Sequence, residues 1–154
     1  MIKVLFVCHG NICRSTMAEF LMKDLVRKAG LDNKFHIASA GTSREEIGAD
    51  THPQTKAILR KKGIAFQPRS AMQITKEDLE TYDYIVIMDE MNRRNIERQF
   101  PESDRSKVVK LMEFAKEQKD VADPWYTNNY EITFSDVSEG CQGLLAAIRF
   151  KYEL

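Results

Sequence analysis

The chain opens with a short apolar run, Ile2-Lys3-Val4-Leu5-Phe6-Val7, that gives way within one turn to an amphipathic helical pattern. The run is rich in β-formers, too short for a buried helix, and closed by Cys8-His9-Gly10-Asn11, so it predicts a strand buried on both faces. From Arg14 the period changes. Met17, Phe20, Leu21, Leu25 and Val26 recur at spacings near three and four, which predicts a helix ending at Gly30. A doubly buried strand feeding a helix through a tight turn is the start of a βα unit, and such units fold only as part of a covered parallel sheet.

The remaining chain repeats the alternation. Phe35 to Ala40 predicts a second strand, followed by a loop from Gly41 to Pro53 and a helix to about Lys62 that Gly63 stops. Ile64 to Met72, with Pro68, predicts extended or irregular backbone, and Thr75-Lys76-Glu77-Asp78 has the form of a capping box opening a short helix. Tyr82 to Met88 predicts a third strand, Asp89 caps a helix from Glu90 to Gln99, and Lys107 to Met112 predicts a fourth strand. Val121 to Asn129 reads as a loop. A final helix from Glu131 to Tyr152 turns Phe134, Val137, Cys141, Leu144, Leu145, Ile148 and Tyr152 inward, with Gly140 and Gly143 each costing about 1 kcal/mol relative to Ala. The expected fold is α/β: three layers, with a four-stranded parallel sheet flanked by helices on both faces. With no repeat or linker in sight, residues 1–154 are expected to form one domain.

Lys plus Arg and Asp plus Glu are both 23, a balance that offers nothing to nucleic acid or to an anionic membrane. No apolar run approaches the roughly 18 residues of a membrane span, and the first residues lack a secretory pattern. Three cysteines in a chain of 154 residues do not form a disulfide framework. A reducing, cytoplasmic setting is expected, with the chain a monomer or weak homo-oligomer.

The turn Cys8-His9-Gly10-Asn11-Ile12-Cys13-Arg14-Ser15 carries the chemistry. Cys8 ends the first strand, where open α/β sheets bind ligands. Backbone N–H groups from His9 through Arg14 can wrap a tetrahedral dianion, helped by the positive end of the following helix. Gly10 is expected to allow close approach, and Asn11 tolerates the left-handed region. The same field favours a thiolate at Cys8, the expected nucleophile. Arg14 can hold two non-bridging oxygens with its planar fork. Ser15 can donate a hydrogen bond to the sulfur. Cys13 either packs beneath the loop or forms a protective disulfide with Cys8. Zinc fits poorly, because four residues separate Cys8 from Cys13 and no second ligand pair follows. No metal or cofactor is expected. These residues predict hydrolysis of a phosphate monoester through a cysteinyl-phosphate.

Val7 through Ser15, with Met17-Ala18-Glu19, Ser39-Ala40-Gly41-Thr42, Ile74 through Asp78, Tyr82-Asp83-Tyr84-Ile85, Met88-Asp89 and Asp123-Pro124-Trp125-Tyr126, resembles the low-molecular-weight protein tyrosine phosphatase family. The resemblance covers essentially the whole chain. It implies a flavodoxin-like strand order 2-1-3-4, a phosphotyrosine protein as substrate and inorganic phosphate as product. It makes Asp123 the general acid for the departing aryl oxygen and then the base for water. It also implies that Ile12 forms part of the cleft floor, that Trp125 and Tyr126 line the cleft, and that Ser39 hydrogen-bonds Asn11.

Three positions depart from the family pattern. Thr16 stands where proline often follows Ser15, His9 stands where an apolar residue is common, and Glu45 replaces an aromatic wall and would favour basic sequence around the phosphotyrosine. Two relatives of the scaffold compete. Arsenate reductases need relay cysteines in mid-chain, and this chain has none between Cys13 and Cys141. Protein arginine phosphatases carry Thr at the position of Ile12. A non-enzymatic phosphate-binding or redox-sensing module would need neither nucleophile nor acid.

Overall fold

β1 (Ile2–Cys8) is a central strand of a four-stranded parallel sheet, ordered β2-β1-β3-β4 with β2 (Phe35–Gly41), β3 (Tyr84–Ile87) and β4 (Val108–Lys110). The computed structural model describes all residues from Met1 to Leu154. Strand pairing puts Val4 between Ile37 and Tyr84, and Cys8 level with Gly41. The alternation of β1 sorts its side chains. Val4, Phe6 and Cys8 face α1 (Arg14–Lys28) and α6 (Tyr130–Tyr152), in a cluster with Met17, Leu59, Cys141 and Leu144. Leu5 and Val7 face the other way, toward Leu79 of α3 (Lys76–Thr81) and Ile96 of α4 (Glu90–Gln99). With α2 (Pro53–Lys61) on the α1 side, this is the expected three-layer arrangement and strand order. No helix is long and apolar enough to cross a membrane.

Because β1 has β2 on one side and β3 on the other, the chain changes direction across the sheet at the carboxyl end of β1. That reversal opens a crevice above Cys8.

Local signals decide most boundaries. Thr75 accepts from the Asp78 amide while Asp78 accepts from the Thr75 amide, so α3 starts on the predicted capping box. Asp89 starts α4 in the same way with Asn92. The third strand is shorter than predicted, since Tyr82 ends α3 and the Asp83 carboxylate turns to accept the Lys3 amide. The fourth also stops early, because Leu111–Phe114 tightens into a 3₁₀ turn beneath α6. A further 3₁₀ turn (Asp32–Lys34) forms in a segment the apolar pattern left unassigned, and within the predicted loop Val121 to Asn129 a single turn of helix, α5 (Pro124–Thr127), starts on Asp123, whose carboxylate accepts the Trp125 amide.

Gly140 and Gly143 explain the seat of that 3₁₀ turn. A Cβ at Gly140 would lie 2.5 Å from Leu111 Cγ, and one at Gly143 only 1.9 Å from the Phe114 carbonyl oxygen. The helix propensity lost at both positions is exchanged for close contact. Tyr152 departs from the predicted inner face, being 40% exposed, and Phe134 is only half-buried.

Candidate active site

Asn11 is the geometric centre of the loop after β1. It is fully buried with φ 61°, a left-handed conformation that asparagine tolerates. Its Nδ2 donates to Ser15 Oγ at 2.9 Å and to Ser39 Oγ at 3.0 Å, the second contact being the expected support bond. Ser39 in turn donates to the buried Glu19 carboxylate at 2.5 Å. On the other side Arg69 donates to the Asn11 carbonyl at 2.7 Å and to its Oδ1, which also accepts the Met72 amide at 3.1 Å. Ser15 Oγ lies 3.0 Å from Cys8 Sγ. Since that oxygen already accepts from Asn11, the serine proton is free to point at the sulfur.

Close approach falls on a different glycine from the expected one. Gly10 has no positive φ, and a Cβ there would make only ordinary contact at 3.5 Å with Glu46. At Gly41 a Cβ would stand 2.8 Å from the His9 carbonyl, because the end of β2 bonds to the loop: Thr42 N–H donates to Cys8 O at 2.9 Å and Ser43 N–H to His9 O at 3.0 Å.

Arg14, the first residue of α1, is 3% exposed and anchored on three sides. Nη1 donates to the Val121 carbonyl at 3.1 Å and pairs with Asp89 Oδ2 at 2.9 Å, while Nη2 reaches Asp123 Oδ2 at 3.4 Å. Burial alone would weaken its charge, but Cys8, Asp123 and Asp89 outweigh that and hold the guanidinium more firmly protonated than usual. Each carboxylate is oriented by a helix start. Asp89 Oδ1 accepts the Asn92 amide of α4, and Asp123 Oδ1 accepts the Trp125 amide of α5.

Thr16, where the family often has proline, ties the helix start by donating its hydroxyl to the Cys13 carbonyl at 2.9 Å. Cys13 is half-buried, with Sγ 4.0 Å from the Tyr130 hydroxyl, and burial pushes its thiol up to about 11. All three cysteines are free thiols, and Cys141 is fully buried in α6. Ile12 is half-buried beside Asn11, and its carbonyl accepts the His52 amide at 2.9 Å. Trp125 and Tyr126 are each 84% exposed on α5, next to Asp123. The two departures at the mouth of the cleft meet: His9 Nε2 lies 3.0 Å from Glu45 Oε2.

The sequence profile described as low molecular weight phosphotyrosine protein phosphatase matches residues 3–153. The chain belongs to that family. Among relatives of this phosphatase, YfkJ of Bacillus subtilis, a low molecular weight protein-tyrosine-phosphatase, is 40% identical over 156 residues and matched along all of both chains. The crystal structure of YfkJ has a TM-score of 0.94, covering 98% of this chain and 96% of that one. The PtpA phosphatase of Staphylococcus epidermidis is 40% identical over 147 residues, covering 94% of this chain and 92% of its own. Within the same fold, the Drosophila arginine phosphatase has a TM-score of 0.86 at 28% identity, covering 96% of this chain and 98% of its own.

Sequence reasoning on this phosphatase missed Arg69, and it read Asp89 only as a helix cap. Arg69 lies in the irregular stretch before α3, where no periodicity marks it, and burial lowers its pKa against the pull of Glu19, Cys8 and Asp50. Asp89 carried a signal, since a cap uses one carboxylate oxygen and leaves the other for a cation. What the site offers is a thiol at a strand end, a buried guanidinium one turn away and a carboxylate in reach of that guanidinium.

Proposed function

We propose that residues 1–154 act as one domain, a monomer or weak homo-oligomer, that hydrolyses phosphotyrosine in proteins and releases inorganic phosphate. The observation that carries this reading is the placement of Arg14 between Asp89 and Asp123, one turn from Cys8. The shorter contact, to Asp89 at 2.9 Å, fixes the guanidinium, and the longer one, to Asp123 at 3.4 Å, is the one an incoming phosphate replaces. Two non-bridging oxygens then occupy the fork of Arg14 and the amides of His9 through Arg14. The Cys8 thiolate attacks phosphorus, and the P–O bond to the ring breaks as Asp123 gives its proton to the leaving oxygen. In the second step Asp123 takes a proton from water, the water oxygen bonds to phosphorus, and the P–S bond breaks while Ser15 hydrogen-bonds the departing sulfur.

Trp125 and Tyr126 flank the ring and Ile12 lies under it. The arginine phosphatase fold raises a second reading, with phosphoarginine as substrate. Ile12 offers no hydroxyl to a guanidinium, which favours the aryl substrate. Turnover of phosphotyrosine and phosphoarginine by wild type, Cys8→Ser and Asp123→Ala tests both. Cys8→Ser is expected to abolish turnover, and Asp123→Ala to lower it roughly 10²–10⁴-fold with a poor leaving group. Normal turnover by Cys8→Ser would overturn the covalent route, and a preference for phosphoarginine would overturn the substrate.

A further inference from the structure

The segment that delivers Asp123 is pinned at every backbone polar group of the two residues before it. Val121 N–H donates to Met88 O at 2.9 Å, and Val121 O accepts from Arg14 at 3.1 Å. Ala122 is held by side chains alone, both from α6. Its N–H donates to Asp136 Oδ2 at 3.0 Å, and its carbonyl accepts from Thr133 Oγ1 at 2.7 Å. Thr133 and Asp136 are three residues apart and so share one helix face. Thr133 is fully buried and Asp136 is 6% exposed. The other Asp136 oxygen, Oδ1, meets Lys119 Nζ at 3.2 Å.

Such a clamp exceeds what the fold requires. A loop at the surface can satisfy its amides with water, whereas two buried polar side chains one helical turn apart hold here the two peptide groups that flank Ala122. The second of these groups, the one Thr133 holds, contains the Asp123 nitrogen. Hydrogen bonds to both groups fix the backbone rotations about Ala122, and hence the direction in which the Asp123 side chain leaves the backbone.

We infer that Thr133 and Asp136 are positioning residues for the Asp123 carboxylate, and that the face of α6 they occupy sets how well this phosphatase expels poor leaving groups. The inference rests on Asp123 acting as the general acid. Thr133 touches neither the sulfur nor Arg14, and it holds the Ala122 carbonyl, one peptide group beyond the Val121 carbonyl that anchors Arg14, so the oxyanion cradle is unaffected by its loss. Misplacing an acid by about 1 Å costs roughly up to 100-fold in the step it catalyses.

The test measures kcat/KM, which reports the first chemical step, for phenyl phosphate and 2,4-dinitrophenyl phosphate, together with inhibition by inorganic phosphate. Thr133→Val keeps the side-chain shape and removes the donor; Thr133→Ala serves if the valine variant folds poorly. Either is expected to lose roughly 10-fold to 100-fold on phenyl phosphate and less than about 3-fold on the dinitrophenyl ester, with phosphate inhibition unchanged. Asp123→Asn is the control, expected to show the same pattern more strongly, and adding Thr133→Val to it should change nothing further. Equal losses on both esters, or weakened phosphate inhibition, would make the clamp merely structural. If Asp123→Asn itself showed no dependence on the leaving group, the acid assignment would fall, and the clamp with it.

Discussion

Arg69 places its guanidinium on both the carbonyl and the side chain of Asn11, and so holds a fully buried, left-handed residue from the side opposite Ser15 and Ser39. A bond to a charged donor is worth about 1.5–3 kcal/mol. Arg69→Ala is therefore expected to lower kcat/KM by about 10-fold to 100-fold and to weaken inhibition by inorganic phosphate, with both effects read in steady-state assays. Unchanged phosphate inhibition would show that the loop holds its shape without Arg69. At this scale the sequence was legible wherever the chemistry was local. Cys8, Asn11, Arg14 and Ser15 lie in one turn, and the spacing itself announced them. Arg69 is 58 positions from its partner and follows a proline in patternless backbone, so only the folded contact identifies it.

Among the elements, α6 shows how packing overrides propensity. Replacing Gly143 by Ala would gain about 1 kcal/mol in an isolated helix. In the protein the new methyl carbon would fall 1.9 Å from the Phe114 carbonyl, a backbone atom that moves only if the 3₁₀ turn moves. Gly143→Ala is thus expected to destabilise by about 1–3 kcal/mol, seen as a drop in the thermal midpoint of roughly 2–4 °C per kcal/mol. A midpoint at or above wild type would mean that the turn yields freely. Helix and strand existence followed from apolar period and capping, and Thr75 and Asp89 fixed two starts to the residue. The 3₁₀ turn at Leu111–Phe114 was hidden because its cause, two glycines in a later helix, lies far along the chain.

For the molecule as a whole, pH offers a test of burial. Burial raises the Cys13 thiol from 9.0 to about 11 and the Tyr84 phenol from 10.0 to about 12, and it pushes Tyr130 and Cys141 up as well. The folded chain keeps protons that the unfolded chain releases, so this stability is complete below pH 9 and is lost as pH rises through about 11 to 12. Cys13, partly exposed, contributes on the order of 2 kcal/mol. The thermal midpoint is expected to fall steadily above pH 9, and Cys13→Ala should make that fall shallower; an unchanged slope would contradict the assignment.

The attachment of Asp123 to α6 through Thr133 and Asp136 also bears on the birth of the protein. Of the elements described, α6 is made after all the others, and β1 with its cysteine loop long before it. A partly synthesised chain therefore exposes a nucleophilic thiol and a hydrophobic central strand, while the residues that aim the acid are still inside the tunnel. The clamp on Ala122 forms only when α6 docks against α1 and closes the core. Docking of α6 thus completes the hydrophobic core and mounts the Asp123 segment in the same step.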